Sequence, residues 1–152
     1  MSEFTFAIKF KAFSNGYLVG INQEGFPPTS LSNSWCPIIC IVDRGFEFRV
    51  WNGNGDSIFS YSEEDIKNKW NVLIGCKNQN IWKVYLNGSC LGESSGGISF
   101  YWARQYSLGC GFDSLGDRPS VGNGNWHHIN CQIRYAALYN KFLTDEEVSN
   151  FS

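Results

Sequence analysis

Two polar, Gly-rich stretches of the sequence carry the side chains best suited to binding sugars. The first is "RVWNGNGD" at residues 49–56, and the second joins residues 101–106, 112–118 and 122–127. An aromatic ring packs on the apolar face of a pyranose, while amide, carboxylate and guanidinium groups bond its hydroxyls. The candidate ligand-binding residues are Trp51, Asn52, Asn54, Trp102, Arg104, Tyr106, Asn123, Trp126 and His127.

For each of these residues taken alone, a place in the core or in a turn is the competing explanation, because the cores of β-sandwiches use Trp and Tyr and tight turns need Asn-Gly pairs. The loop at residues 111–127 is a stronger indication, since ordered loops of this length usually have a function. Within it, Asp113 and Asp117, together with Asn123, offer the oxygen ligands that calcium prefers. Calcium is the one cofactor that the sequence predicts.

A zinc site is not expected. His127 and His128 precede Cys131, but adjacent strand residues point to opposite faces, so at most one histidine can join the cysteine. Cys36 and Cys40 lie about 13 Å apart if both belong to one strand, and the sequence has no C-x-x-C pair.

The six cysteines are unevenly spaced, and a core of this size needs no disulfide staples. We therefore expect mostly reduced, buried thiols. A bridge between Cys110 and Cys131 stays open as an alternative, since both fall in late strands.

Catalysis is not expected from the two motifs that suggest it. A retaining glycosidase needs two carboxyl groups about 5 Å apart on one face. Glu63 and Asp65 are the nearest pair, but Lys67 and Lys69 follow where a further acid is required. Residues 92–96, "GESSG", match G-x-S-x-G, yet a nucleophile elbow is a strand-to-helix turn and this segment joins two strands. No Gly-rich phosphate loop follows a parallel strand, so nucleotide binding has no support either.

Length and composition indicate one domain, taken as 1–152. Hydrophobic residues make up 43% of the 152 positions, which excludes a disordered tail. A net charge of −2 without any basic block argues against nucleic-acid binding. No apolar run approaches the roughly 20 residues of a membrane span, and "MSEFTFAIKF" is not a signal peptide. We expect a soluble protein, at an extracellular or virion surface if it binds glycans and in the cytoplasm otherwise.

Alternating side chains predict strands along most of the chain. Apolar residues at positions 4, 6, 8 and 10 give a strand with one buried face. Turn signals recur every 8 to 12 residues and indicate successive hairpins, with Asn87-Gly88 as a type I′ turn. A helix is expected only at Thr144, which forms a capping box with Glu147. The pattern predicts an all-β, two-sheet antiparallel sandwich with a short C-terminal helix, whose role is structural.

Four segments carry a resemblance to a known family. Residues 138–148, "LYNKFLTDEEV", resemble the "I-Y-N-R-A-L-S-x-E-E-I" ending of laminin-G-like modules, within the concanavalin A-like lectin/glucanase superfamily. Residues 3–21 are similar to the family's early strand, residues 69–92 to its "W-x-h-h…h-Y-h-N-G" hairpin, and residues 106–113, "YSLGCGFD", to its "h-x-h-G" strand. The resemblance implies a jelly roll whose loops or concave sheet bind sugars or proteins, often with calcium.

Two departures from the family pattern have consequences. The chain starts almost on the strand that the family places second, so we expect an open sheet edge that another chain can pair. Arg134 follows Ile133 where the family commonly has an acidic residue, which removes one familiar calcium ligand.

Three functions compete on these grounds. The favoured one is a non-catalytic lectin-like module that binds glycans or glycoproteins through loops at one edge of the sandwich. The second is a structural or interaction domain of a larger assembly, such as a virion decoration, fibre-type or adhesion module, that binds protein partners or its own copies through the open edge. The third is a glycoside hydrolase of the same superfamily.

Overall fold

A computed structural model of the chain describes residues 3–22, 34–51, 56–78, 81–95, 105–112 and 126–151. These residues form two five-stranded antiparallel sheets, a two-stranded ribbon and one short helix, which confirms the all-β sandwich. The strands are β1 (Phe4–Ala12), β2 (Gly16–Asn22), β3 (Ser34–Ile41), β4 (Phe46–Trp51), β5 (Asp56–Tyr61), β6 (Asn71–Lys77), β7 (Ile81–Leu86), β8 (Ser89–Ser95), β9 (Gln105–Leu108), β10 (Cys110–Phe112), β11 (Trp126–His128) and β12 (Cys131–Tyr139). The helix α1 spans Asp145–Ser149.

The first sheet has the order β12-β1-β6-β7-β8 and the second sheet the order β5-β4-β3-β2-β9. Consecutive strands pair as hairpins in β2 to β5 and in β6 to β8, as the turn signals predict. Asn87 and Gly88 both have positive φ, which fits the type I′ turn between β7 and β8.

The prediction of successive hairpins is wrong at the first turn. Residues 13–15 do not close a hairpin, because β1 lies in the first sheet and β2 in the second. A tight turn fixes only the local change of direction, and the partner of each strand is decided by long-range pairing. The predicted open edge is not β1 either, since β1 lies between β12 and β6.

The main core fills the space between the two sheets. The inward residues of β1 are those predicted, with Ile8 and Phe10 fully buried. Trp82 of the first sheet stacks on Phe48 of the second at 6.1 Å between ring centroids and meets Phe59 edge-on at 5.9 Å. Such aromatic pairs stabilise beyond the area they bury and fix how the sheets sit on each other.

Two glycines of the first sheet make room for these rings. A Cβ atom on Gly75 would lie 2.5 Å from Cζ of Phe48, and one on Gly92 would lie 2.7 Å from Cε2 of Phe59. Both distances are too short for two carbon atoms that are not bonded to each other. The two phenylalanines therefore project into gaps in the opposite sheet that only glycine leaves open.

The first sheet is also buried on its outer face, the face directed away from the second sheet. Thr5 and Ala7 are fully buried there, although alternation predicted only one buried face for β1. Residues 140–151, here called the C-terminal segment, cover this face. Oγ1 of Thr5 donates to the carbonyl oxygen of Lys141 at 2.8 Å and accepts from the amide of Leu143 at 3.2 Å.

Four of the described cysteines, Cys76, Cys90, Cys110 and Cys131, carry free thiols. Cys40 and Cys76 are buried and Cys90 is exposed, while Cys110 and Cys131 are free rather than bridged to each other. Burial raises the pKa of the Cys76 thiol, so it packs as a small apolar side chain.

Replacing Gly75 by Ala tests the fit between the sheets. We expect Gly75→Ala to destabilise the fold by about 1–3 kcal/mol in urea unfolding, because the new methyl group overlaps the Phe48 ring. Phe48→Leu shortens the opposing side chain, so the double variant should lose less than the sum of the two single losses. A strictly additive double variant would contradict the contact.

Candidate functional site

The helix α1 begins with the predicted capping box. Oγ1 of Thr144 accepts from the amide of Glu147 at 3.2 Å, and the Glu147 carboxylate accepts from the amide of Thr144 at 2.9 Å. Val148 is fully buried against the outer face, which confirms that the helix packs on the sandwich. The side chain of Glu147 also pairs with the ammonium group of Lys141.

A second set of bonds ties the start of α1 to β7. The Asp145 carboxylate accepts from the hydroxyl of Tyr85 at 2.6 Å and from Nζ of Lys83 at 3.1 Å. These two hydrogen bonds and the nearby positive charge hold the pKa of Asp145 below its ordinary value. Burial, together with the Asp145 carboxylate, raises the pKa of Tyr85. The helix therefore stands at a fixed position on the sheet.

A β-bulge in β12 decides which of its side chains lie beside this helix. Lys9 pairs with Tyr135 and Phe10 with Ile133, so Arg134 is the extra residue of the bulge. Ile133 packs against the core between the sheets, whereas Tyr135 packs in the outer-face cluster. Without the bulge, strict alternation would place both on one face. Tyr139, opposite the outer-face residue Thr5, lies on the same face as Tyr135.

A pocket forms between β12 and α1, and we call it the β12–α1 pocket. Its volume is about 360 Å³, and its lining residues are Tyr135, Tyr139, Glu147, Asn150 and Phe151. The rings of Tyr139 and Phe151 meet edge to face, with centroids 5.9 Å apart and planes at 79°. Three aromatic side chains thus wall a space of the size that small ligands occupy.

The polar groups of the pocket differ in how well they are satisfied. Both carboxylate oxygens of Glu147 have partners, Lys141 on one and Thr144 on the other, and these bonds lower the pKa of Glu147. The hydroxyl oxygen of Tyr135 is buried and has no hydrogen-bond partner among the described residues. Burial, with a contribution from Tyr139, raises the pKa of this hydroxyl, so it stays protonated and can donate.

An orphaned hydroxyl in a pocket is a functional signal because nearly all buried polar groups in folded proteins have partners. Leaving one unsatisfied costs about 1–3 kcal/mol. A ligand whose binding shifts the Tyr135 ring, so that the hydroxyl bonds a ligand oxygen, would remove that cost while its apolar face rests on the rings. The described lining residues therefore provide aromatic walls, one amide and one carboxylate, with the unpartnered Tyr135 hydroxyl buried beside them and no nucleophile paired to a base.

Most of the residues predicted from the sequence lie outside the described residues. These are Asn52, Asn54, Trp102, Arg104, Asn123, Asp113 and Asp117. For Trp51, Tyr106, Trp126 and His127 the structure gives the backbone alone.

The backbone positions separate the predicted residues into two groups. Tyr106 pairs with Ile21 near the end of β2. The β10–β11 ribbon that carries Trp126 lies near the start of β2, where the carbonyl oxygen of His128 is next to Gly16. Five residues of strand, about 17 Å, separate those two points on β2.

Trp51 belongs to the same end of the second sheet as Tyr106. Phe46 at the start of β4 pairs with Ile41, and Ile41 pairs with Gly16, so the end of β4 is at the end of β2. The turn after Trp51 is therefore remote along the sheet from the ribbon of Trp126.

The motifs that suggested catalysis have other places in the fold. Glu63 and Asp65 are exposed in the loop between β5 and β6, and Asp65 pairs with Lys67 at 3.2 Å. Ser94 lies within β8, opposite Trp82, so the chain is extended there rather than turning into a helix. In the part of the chain that the structure describes, no three His, Cys, Asp or Glu side chains cluster as metal ligands.

The β12–α1 pocket was not predicted from the sequence. The available signal was the pair Tyr135 and Tyr139, which four-residue spacing places on one face of a strand, followed by an aromatic at position 151. The contact between these rings depends on the bulge at Arg134 and on the path of the C-terminal segment, neither of which the sequence reveals.

Comparison with known proteins gives a fold likeness alone. No family model matches the chain, and no curated protein sequence matches it. The structure is similar to "Binding domain of Botulinum Neurotoxin DC in complex with SialylT", with a TM-score of 0.62 and 15% identity over 97% of this chain and 34% of that one. The same domain in complex with rat synaptotagmin II matches equally well. The serotype D/C binding domain has a TM-score of 0.62 and 17% identity over 97% of this chain and 35% of that one.

The chain thus spans about a third of the length of these solved domains. The likeness is to domains that bind glycan or protein, and at this identity it shows a shared β-sandwich. No described helix is both long enough and apolar enough to cross a membrane.

The bond network of Asp145 predicts a pH-dependent contribution to stability. Because the pKa of Asp145 is lowered in the folded protein, its contribution is complete above the pKa of the unfolded chain and is lost as pH falls through the folded value. We expect urea unfolding to show wild type more stable than Asp145→Asn at pH 7. The difference should shrink as pH falls through the lowered pKa of Asp145 in the folded protein. A difference that persists unchanged at acid pH would contradict the role of the charge.

Proposed function

We propose that this chain is a non-catalytic, lectin-like module that binds the carbohydrate of glycans or glycoproteins, and that the β12–α1 pocket holds a sugar. The observation that carries the proposal is the buried, unpartnered hydroxyl of Tyr135, a residue that lines the pocket together with Tyr139 and Phe151. Sugar sites combine flat apolar walls with a few polar groups, and this pocket has that combination.

The similar solved structures support the same class of function. One of them is described as in complex with SialylT, and another by the statement that cell entry of botulinum neurotoxin type C depends on interaction with two ganglioside molecules. These are properties of those proteins. The domains are named for binding rather than catalysis, which agrees with a module that is no enzyme. We extend the proposal to a laminin-G-like, concanavalin A-like jelly roll acting at an extracellular or virion surface.

An interaction domain of a larger assembly is the second candidate, and one observation favours it. Among the described strands, β12 is at an edge of the first sheet, and Leu138 and Tyr139 on it are 41% and 38% exposed. An open edge with apolar side chains can accept a strand from another chain. A mass measurement in solution separates the candidates, because a stable oligomer that is silent towards sugars would support the assembly role.

Tyr135→Phe is the sharpest test, because it deletes only the orphaned hydroxyl. On a glycan array we expect binding to be at least about tenfold weaker, because the loss of one hydrogen bond between uncharged groups in a pocket lowers affinity by about that factor. Thermal stability should be equal or higher, since an unsatisfied polar group is removed. The matched control is Tyr61→Phe, whose hydroxyl lies 3.5 Å from Glu64 in an exposed loop.

Unchanged glycan binding by Tyr135→Phe would remove the pocket from the proposal. Loss of stability without loss of binding would instead assign the hydroxyl a structural role. Equal loss of binding in Tyr61→Phe would show that the assay responds to something other than the pocket.

The residues predicted from the sequence form a second, separate part of the proposal. We expect Trp102→Ala and Trp126→Ala to weaken glycan binding without changing thermal stability, and a collapse in stability would mark them as core residues instead. Array binding with and without calcium tests Asp113 and Asp117 as its ligands, with Asp113→Asn expected to abolish any calcium dependence.

A further inference from the structure

The charges around the β12–α1 pocket are unequally balanced. Among the described lining residues, Glu147 is the one charged side chain, and its hydrogen bonds keep it ionised at neutral pH. Asp145 and Glu146 precede it in the first turn of α1. Of these three carboxylates only that of Glu147 lines the pocket, whereas Asp145 is bonded to β7.

The cations nearest to these carboxylates already have partners. Nζ of Lys141 pairs with Glu147, and Nζ of Lys83 is 3.1 Å from Asp145 and 3.9 Å from Glu93. Binding a ligand carboxylate usually needs an arginine fork, a lysine or several free amides. No Lys, Arg or His is among the described lining residues, and Lys141 is already paired with Glu147, so an acidic ligand would lie beside a carboxylate and find no unpaired cation there.

We propose that the β12–α1 pocket accepts one uncharged terminal pyranose and rejects its acidic counterparts, the uronic and sialic acids; this inference rests on the proposed glycan-binding function. Neutral hydroxyls can bond the Asn150 amide and donate to Glu147, while the ring's apolar face lies against the aromatic walls; the buried Tyr135 hydroxyl becomes a further donor once its ring shifts to expose it. A volume of about 360 Å³ is near the lower limit for ligand pockets, which suits a single terminal sugar.

The inference sets this chain apart from the solved domain described in complex with SialylT. A shared sandwich supports different ligands because specificity comes from the side chains of the site rather than from the fold. Here the site offers acceptors and a phenolic donor, and its one charged group is negative.

The test compares matched hexoses and hexuronic acids on the intact chain. Methyl glycosides of glucose, galactose and mannose are titrated beside the methyl glycosides of the corresponding uronic acids, which differ only at C6. An array carrying each glycan with and without terminal sialic acid runs in parallel. We expect the neutral member of at least one pair to bind at least about tenfold more tightly than the acidic member.

Acidic sugars that bind as well as or better than their neutral counterparts would overturn the inference and leave the proposed function intact. Absence of binding to every member of both sets would overturn the proposed function and the inference together. The two failures are therefore distinct.

Asn150→Lys provides a gain-of-function variant. A lysine at the end of α1 places a cation on the pocket wall and is favoured near a helix C-terminus. We expect the preference for the neutral sugar to fall by about tenfold, because the uronate gains a charge-assisted hydrogen bond. Ser60→Lys adds the same charge to an exposed position on β5 and should leave the preference unchanged. An equal change in both variants, or none in Asn150→Lys, would contradict the charge argument.

Discussion

The apolar outer face of the first sheet must be covered, and this requirement organises the rest of the molecule. Val72, Ile74 and Cys76 point away from the second sheet and are buried, which an exposed face would not allow. The C-terminal segment provides the cover through Leu143 and Val148. Because the C-terminal segment is short, it covers the outer face only partly near β12, and the β12–α1 pocket is the space that remains.

The parts of the fold that could be predicted are those set by local chemistry. Alternation identifies β1, the positive φ values at Asn87 and Gly88 follow from the Asn-Gly pair, and the capping box follows from Thr144 and Glu147. Each of these signals needs only a few neighbouring residues. The crossing of the chain from the first sheet to the second at residues 13–15 could not be predicted in this way, because a turn does not reveal the partner of the strand that follows it.

The pocket was beyond sequence reasoning for a related physical reason. Its walls come from two elements whose contact depends on a one-residue bulge at Arg134, and a bulge has no reliable local signature. The sequence of the helix indicates a structural role, because the cap and the helix dipole account for its acidic residues. Alternation likewise predicts that Thr5 and Ala7 lie on an exposed face, since the residues that cover them lie more than 130 positions away.

The hydrogen bonds of Thr5 have a consequence for how the protein is made. A ribosome releases β1 first, but the strand on one side of it and the residues that bond Thr5 are released only after position 130. Until then the nascent chain exposes an unpaired strand edge and an uncovered apolar surface, both of which favour aggregation. Closure of this fold is a late, long-range event, so its rate is governed by chain topology rather than by local propensity.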